Sequence, residues 1–277
     1  MVKMGTVWDR TAEFLSDNIA AILPIALLAF FVPASIEGNF QAAMDGASAE
    51  LVLTLRLLQL VFGLLSLWGT LTITAMALGM ADSDSAGRLA GKRLPAALIV
   101  SILCLVAGIV LVLPIPAVLS AGGVDMMAIA ERRDFEIGPG LAGFVALYGI
   151  ALFAFFLWAM ARLIVITPVI VREGRWLSAL TQSWKLTRGV TWRVIGVILL
   201  FALVSWVSIL AANMVFGSIF ALIAGGDSGG ISLAGVLTSI VVAAVQTGFT
   251  VIIPAFTAKL YLALAAAMGL REGVIIA

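Results

Sequence analysis

Six long apolar runs separated by short polar connections dominate this chain of 277 residues, and that alternation leaves few folds open to it. A helix crossing the hydrocarbon core of a bilayer needs roughly 20 apolar residues in a row. Runs of about that size or longer lie at Ile19–Ile36, Leu51–Met80, Ala96–Ala121, Leu141–Val171, Val194–Ala224 and Ile231–Leu270. The period-two alternation of transmembrane barrel strands is absent, and the runs are too long for such strands. The pattern therefore predicts an all-α fold: a polytopic membrane protein with six transmembrane helices, forming a single integral membrane domain over residues 1–277. Composition agrees, with 63% apolar and 11% charged residues and a mean hydropathy of +1.19, outside the range of soluble domains. The last run is long enough to hold a break near Gly248 or Pro254, so a re-entrant piece followed by one span is the alternative there. Asp9, Glu13 and Asp17 precede the first run, so the first span is expected to be retained and not cleaved as a signal peptide.

Charge is distributed unevenly along the connections. Lys3 and Arg10 precede the first span, and Arg88, Lys92 and Arg93 join the second to the third. Arg172, Arg175, Lys185, Arg188 and Arg193 join the fourth to the fifth, and Arg271 follows the sixth. With six spans these all face one side. The other side carries Arg132 and Arg133, but also Glu37, Asp45, Glu50, Asp125, Glu131, Asp134, Glu136 and Asp227. By the positive-inside rule both termini are expected to be cytoplasmic.

Each odd-numbered span is preceded by a short polar segment with helical patterning: Thr6–Asn18, Ser83–Leu94 and Trp176–Thr191. In the first, Val7, Trp8, Thr11, Phe14 and Leu15 share one face and Asp9, Arg10, Glu13 and Asp17 the other, which suits a helix lying in the headgroup region. In the third, Trp176, Leu177, Leu180, Trp184 and Thr187 gather together, and tryptophan favours that interface. An interfacial amphipathic helix plus two spans, used three times, is the implied unit, giving degenerate repeats over 1–82, 83–174 and 175–277. Ala161-Arg162-Leu163 with Arg172-Glu173-Gly174, and Ala258-Lys259-Leu260 with Arg271-Glu272-Gly273, are the matching span ends.

Arg172-Glu173-Gly174, Ala179-Leu180, Ser183-Trp184-Lys185-Leu186-Thr187-Arg188-Gly189 and Trp192-Arg193 form a motif covering about thirty residues around the connection from the fourth to the fifth span. It resembles the membrane-domain-like family of glycerophosphoryl diester phosphodiesterases, which includes stand-alone bacterial six-helix inner-membrane proteins, mostly of unknown function. The resemblance implies a multi-pass protein of the bacterial cytoplasmic membrane. It does not imply phosphodiesterase activity, because that activity resides in a separate soluble barrel that relies on histidine pairs. This chain contains no histidine, and such a barrel alone takes about 250 residues.

Catalytic groups are scarce throughout. Without histidine there is no Ser-His-Asp or Cys-His arrangement and no histidine-ligated zinc. Cys104 is the single cysteine, so no disulfide forms within the chain. Gly225–Gly230 reads as a flexible turn. The expectation is a protein that is not an enzyme, needs no cofactor or metal, and binds no nucleic acid, since its net charge is only +1.

No Asp or Glu lies in the middle of a span, which argues against a carboxylate relay. Arg56, Arg162 and Lys259 remain as cations in the apolar runs, each off-centre and able to snorkel towards an interface. Arg162, Lys259, Trp184, Lys185, Arg188, Trp192 and Arg193 are the candidate residues for binding membrane lipid, an anionic phospholipid in particular, or another envelope protein at the cytoplasmic leaflet. The alternative is a transporter or channel with a pathway between the repeats, lined by Arg56, Gln59 and Gln246 together with Arg162 and Lys259.

Overall fold

A computed structural model of the chain describes residues 2–44, 47–130, 137–223 and 232–269. Among them every regular element is helical. Six helices are long and apolar enough to cross a membrane, as in a multi-pass membrane protein: Ile19–Glu37, Ala49–Ala77, Ser85–Ala121, Pro139–Glu173, Thr191–Ile223 and Leu233–Ala267. In chain order, α1 is Met4–Asp17, α2 the span Ile19–Glu37, α3 Phe40–Met44 and α4 Ala49–Ala77. Next come α5 Ser83–Val112, α6 Pro114–Ala121, α7 Met126–Ala130, α8 Pro139–Leu163 and α9 Ile166–Glu173. The chain closes with α10 Ser178–Leu186, α11 Thr191–Ile223 and α12 Leu233–Ala267.

Proline chemistry explains where the spans are irregular. Proline donates no backbone hydrogen bond, and its ring crowds the carbonyl four residues earlier. Pro33 does this to Ala29, and α2 answers with a π-helical turn over Leu27–Phe31. The freed Ala29 carbonyl accepts instead from Ser66 Oγ of α4 at 2.8 Å. Gly69, one turn further along α4, lets that turn approach, since a Cβ there would overlap the Cβ of Ala29. Pro168 acts similarly: the fourth span breaks at Ile164–Val165 into α8 and α9. Pro114 opens α6. Pro254, by contrast, lies inside an unbroken α12, so the re-entrant alternative for the last run does not hold. Val251, Pro254 and Ala255 are all buried there, and packing on α12 holds the helix through its proline.

The helices converge at the end that carries the basic connections. Leu71, Ile73 and Ala75 of α4, Ala90 and Ala97 of α5, Val169 and Val171 of α9, and Ala258 and Leu260 of α12 form one buried cluster there. Towards the opposite end the spans leave their side chains open: Leu53 and Leu60 of α4 are 61% and 66% exposed, and Leu147 of α8 is 72% exposed. Hydrocarbon gives apolar side chains no reason to leave it, so such faces are stable in a bilayer and would not be in water.

The three lead-in segments take different forms. Helix α1 buries Val7, Thr11 and Phe14, with Trp8 and Leu15 packed on the core, and the Trp8 ring lies 4.8 Å from the Phe256 ring of α12, tilted by 38°. Its apolar face thus meets protein. The second segment is the first part of α5, continuous with its span through Pro95. The third is α10, set off by a turn at Gly189, whose φ is +94°.

Candidate functional site

Helix α10 buries small and aliphatic residues against the bundle, and its one aromatic residue, Trp184, stays partly exposed beside Trp158. Ala179, Ser183 and Leu186 are buried, while Trp176 and Leu177 are 52% and 56% exposed. The break between α8 and α9 explains the contact. With Pro168 enforcing that break, the Arg162 carbonyl accepts from Ser183 Oγ at 2.9 Å and Thr187 Oγ1 at 3.0 Å. The hydroxyls of Ser183 in α10 and of Thr187 just beyond it thereby cap α8 and dock the amphipathic segment on the bundle.

The Arg162 side chain sits between two tryptophans. Its guanidinium carbon is 5.6 Å from the Trp158 ring and 5.3 Å from the Trp184 ring, within the range of cation–π attraction. The two rings meet edge to face at 4.8 Å. Arg162 Nη1 donates to the Trp184 carbonyl at 3.3 Å, whereas Nε is buried without a hydrogen-bond partner. Lys185, Arg188 and Arg193 are exposed close by, and Trp192 is 83% exposed. Arg193 also reaches the start of the chain, where its Nη1 donates to the Val2 carbonyl at 3.4 Å.

Lys259 has a different role. Helix α4 ends in a Schellman motif: Gly79, at φ +68°, donates to the Met76 carbonyl, and Met80 donates to the Ala75 carbonyl. The Ala77 carbonyl is left over, and Lys259 Nζ of α12 donates to it at 2.9 Å. A cation at a helix C-terminus also opposes the macrodipole there. Its other neighbour is the Phe14 ring of α1, 4.8 Å away. Lys259 therefore ties α1, α4 and α12 together. Arg162 and Lys259 share no hydrogen-bond or ring partner.

A third polar cluster lies outside the candidate residues of the sequence and centres on Glu173. The Glu173 side chain is only 3% exposed; Tyr261 Oη of α12 donates to its Oε1 at 2.8 Å, and Arg175 Nε lies 2.8 Å from its Oε2 as an ion pair. Gly174, at φ +66°, supports the Arg93 guanidinium, whose Nη1 would lie 2.5 Å from any Cβ at that position. The Tyr261–Glu173 bond joins α9 and α12, with Arg93 of α5 lying against Gly174. A sequence signal existed in the Glu-Gly step that ends a span, but its partner, Tyr261, is 88 residues away.

The proposed pathway residues are not gathered together. Arg56 Nη1 donates to Gln59 Oε1 at 3.1 Å on an exposed face of α4. Gln246 instead lines a cavity of about 460 Å³ between the end of α2, α11 and α12, near the end away from the basic connections. Among the described residues no group of histidine, cysteine or carboxylate side chains could hold a metal ion. Arg132, Arg133, Arg271 and the Gly225–Gly230 turn lie outside the described residues.

Comparison of the chain with protein-family models, with curated proteins and with solved structures gave no match.

Proposed function

We propose that this chain is a non-enzymatic multi-pass protein of a bacterial inner membrane that binds anionic phospholipid at the cytoplasmic leaflet through α10 and the start of α11. One observation carries the reading. Helix α10 spends its small residues on packing and leaves Trp176, Leu177 and Trp184 exposed, in the same segment as exposed Lys185, Arg188, Trp192 and Arg193. Exposed tryptophan is costly in water and favourable at the headgroup level. Each basic side chain near an anionic surface adds about 1 kcal/mol. On this reading α1, the first turns of α5 and α10 line the same leaflet, each leading into a pair of spans. Trp158, Arg162 and Trp184 hold the segment at the depth where phosphate groups lie.

Native mass spectrometry of protein released from nanodiscs tests this, comparing phosphatidylcholine with mixtures containing phosphatidylglycerol. Wild-type protein is expected to retain phosphatidylglycerol selectively. The K185Q/R188Q/R193Q variant should lose that selectivity by roughly 100-fold, from three contacts of about 1 kcal/mol each. Equal retention by both proteins would refute the reading. A co-purifying envelope protein lost with the same substitutions would replace lipid with a protein partner.

A further inference from the structure

The cavity at the other end of the bundle has a chemistry of its own. Its volume of about 460 Å³ falls in the range of small-molecule sites. Its side-chain polar groups are Asn213 of α11 and Thr238, Ser239 and Gln246 of α12, and no charged side chain lines it. Asn213 and Gln246 make no side-chain hydrogen bond among the described residues. Both side chains are exposed on spans, so in a bilayer they meet hydrocarbon unless something covers them, and an unpaired amide there costs about 2–7 kcal/mol against water. Two carboxamides from different helices facing one space are therefore groups waiting for partners.

The wall itself is fixed. Asn39 Nδ2 donates to Ser239 Oγ at 2.9 Å, and a Cβ on Gly38 would lie 2.9 Å from Ser239 Cβ, so α2 and α12 touch there. The hydroxyl protons are already committed: Thr238 Oγ1 donates to the Ala234 carbonyl at 2.7 Å, and Ser239 Oγ to the Val236 carbonyl at 2.8 Å. Towards the cavity Thr238 can therefore only accept, while the two carboxamides both donate and accept. A complementary ligand must bring several donors as well as acceptors. It must also be uncharged, because no lining side chain would compensate an ammonium or a phosphate removed from water. Hydroxyl groups meet both demands.

We infer that the cavity between α2, α11 and α12 is a binding site for a polyhydroxyl group, with Asn213 and Gln246 as its principal hydrogen-bonding residues. That group is either a free polyol or the headgroup of a glycolipid.

Wild-type protein in nanodiscs is offered radiolabelled sorbitol with choline as the charged control, and separately glucosyl-diacylglycerol with diacylglycerol as the headgroup-free control. At least one polyhydroxyl probe is expected to bind about tenfold or more above its control, the worth of one or two hydrogen bonds. The N213L/Q246L variant should abolish that preference. Binding of sorbitol alone identifies a free solute, and binding of the glycolipid alone identifies a headgroup. Both substitutions suit a lipid environment; T238V, which removes a single acceptor and should weaken binding, serves if the double variant does not fold. Absence of preference in the wild type, or a preference that survives these substitutions, overturns the assignment.

Discussion

Replacing Gly69 by alanine tests how closely α2 and α4 cross. The added Cβ would overlap the Cβ of Ala29 and lie 3.2 Å from Phe30 Cζ. Ala29 is fully buried and has no rotamer to yield, so the helices must part by more than about 1 Å to restore ordinary carbon contacts of about 3.5–4.0 Å. Overpacking of this kind costs about 1–3 kcal/mol. Separation also stretches the bond from Ser66 Oγ to the Ala29 carbonyl, now 2.8 Å, and interhelical bonds in membranes average about 0.6 kcal/mol. Set against the roughly 0.5–1 kcal/mol gained by removing a helical glycine, a loss of about 1–3 kcal/mol is expected for Gly69→Ala. The assay is unfolding by sodium dodecyl sulfate in mixed micelles, followed by tryptophan fluorescence. The reciprocal change Ala29→Gly in the same background removes the overlap and should restore most of the loss, since the entropic cost of the new helical glycine, about 0.5–1 kcal/mol, is offset by removing Gly69. A single variant as stable as the wild type, or a double variant no better than the single, would refute this account of the crossing.

The same unfolding measurement checks two further outcomes. Gly174→Ala should cost about 1–2 kcal/mol for its left-handed backbone, beyond any displacement of Arg93, and Gly174→Asn should cost less. Tyr261→Phe should cost about 1.5–3 kcal/mol by removing a hydrogen bond to a buried carboxylate; in a Glu173→Gln background the same change should cost clearly less, and equal costs would show that the two side chains are not coupled.

Much of the architecture was legible because hydrophobic length is a local property. The spans expected at Ala96–Ala121 and Val194–Ala224 correspond to the helices Ser85–Ala121 and Thr191–Ile223, and the boundaries differ only where polar turns of helix extend an apolar run. The apolar face of α1, with Val7, Thr11 and Phe14, was legible from periodicity alone. What covers that face was not, because α12 lies more than 200 residues downstream. For α10 the periodicity gathers Trp176, Leu177, Leu180, Trp184 and Thr187 on one face, yet Trp176, Leu177 and Trp184 are exposed, Thr187 is buried, and Ala179, Ser183 and Leu186 pack. Hydropathy cannot distinguish a face that meets protein from one that meets lipid, since both are apolar.

The helical class, the number and positions of the long apolar helices, and the clustering of basic residues on alternate connections can all be read from local runs of residues. Each follows from the apolar length a bilayer demands and from the cost of carrying charge through it. Only the tertiary structure decided what the isolated polar groups do. Lys259 caps α4, Glu173 pairs with Tyr261, and Ser183 and Thr187 satisfy the carbonyl that the break ahead of Pro168 leaves to them. These partners come from helices distant in sequence, and a backbone carbonyl freed by proline or by a helix end carries no mark in the sequence of the side chain that will find it.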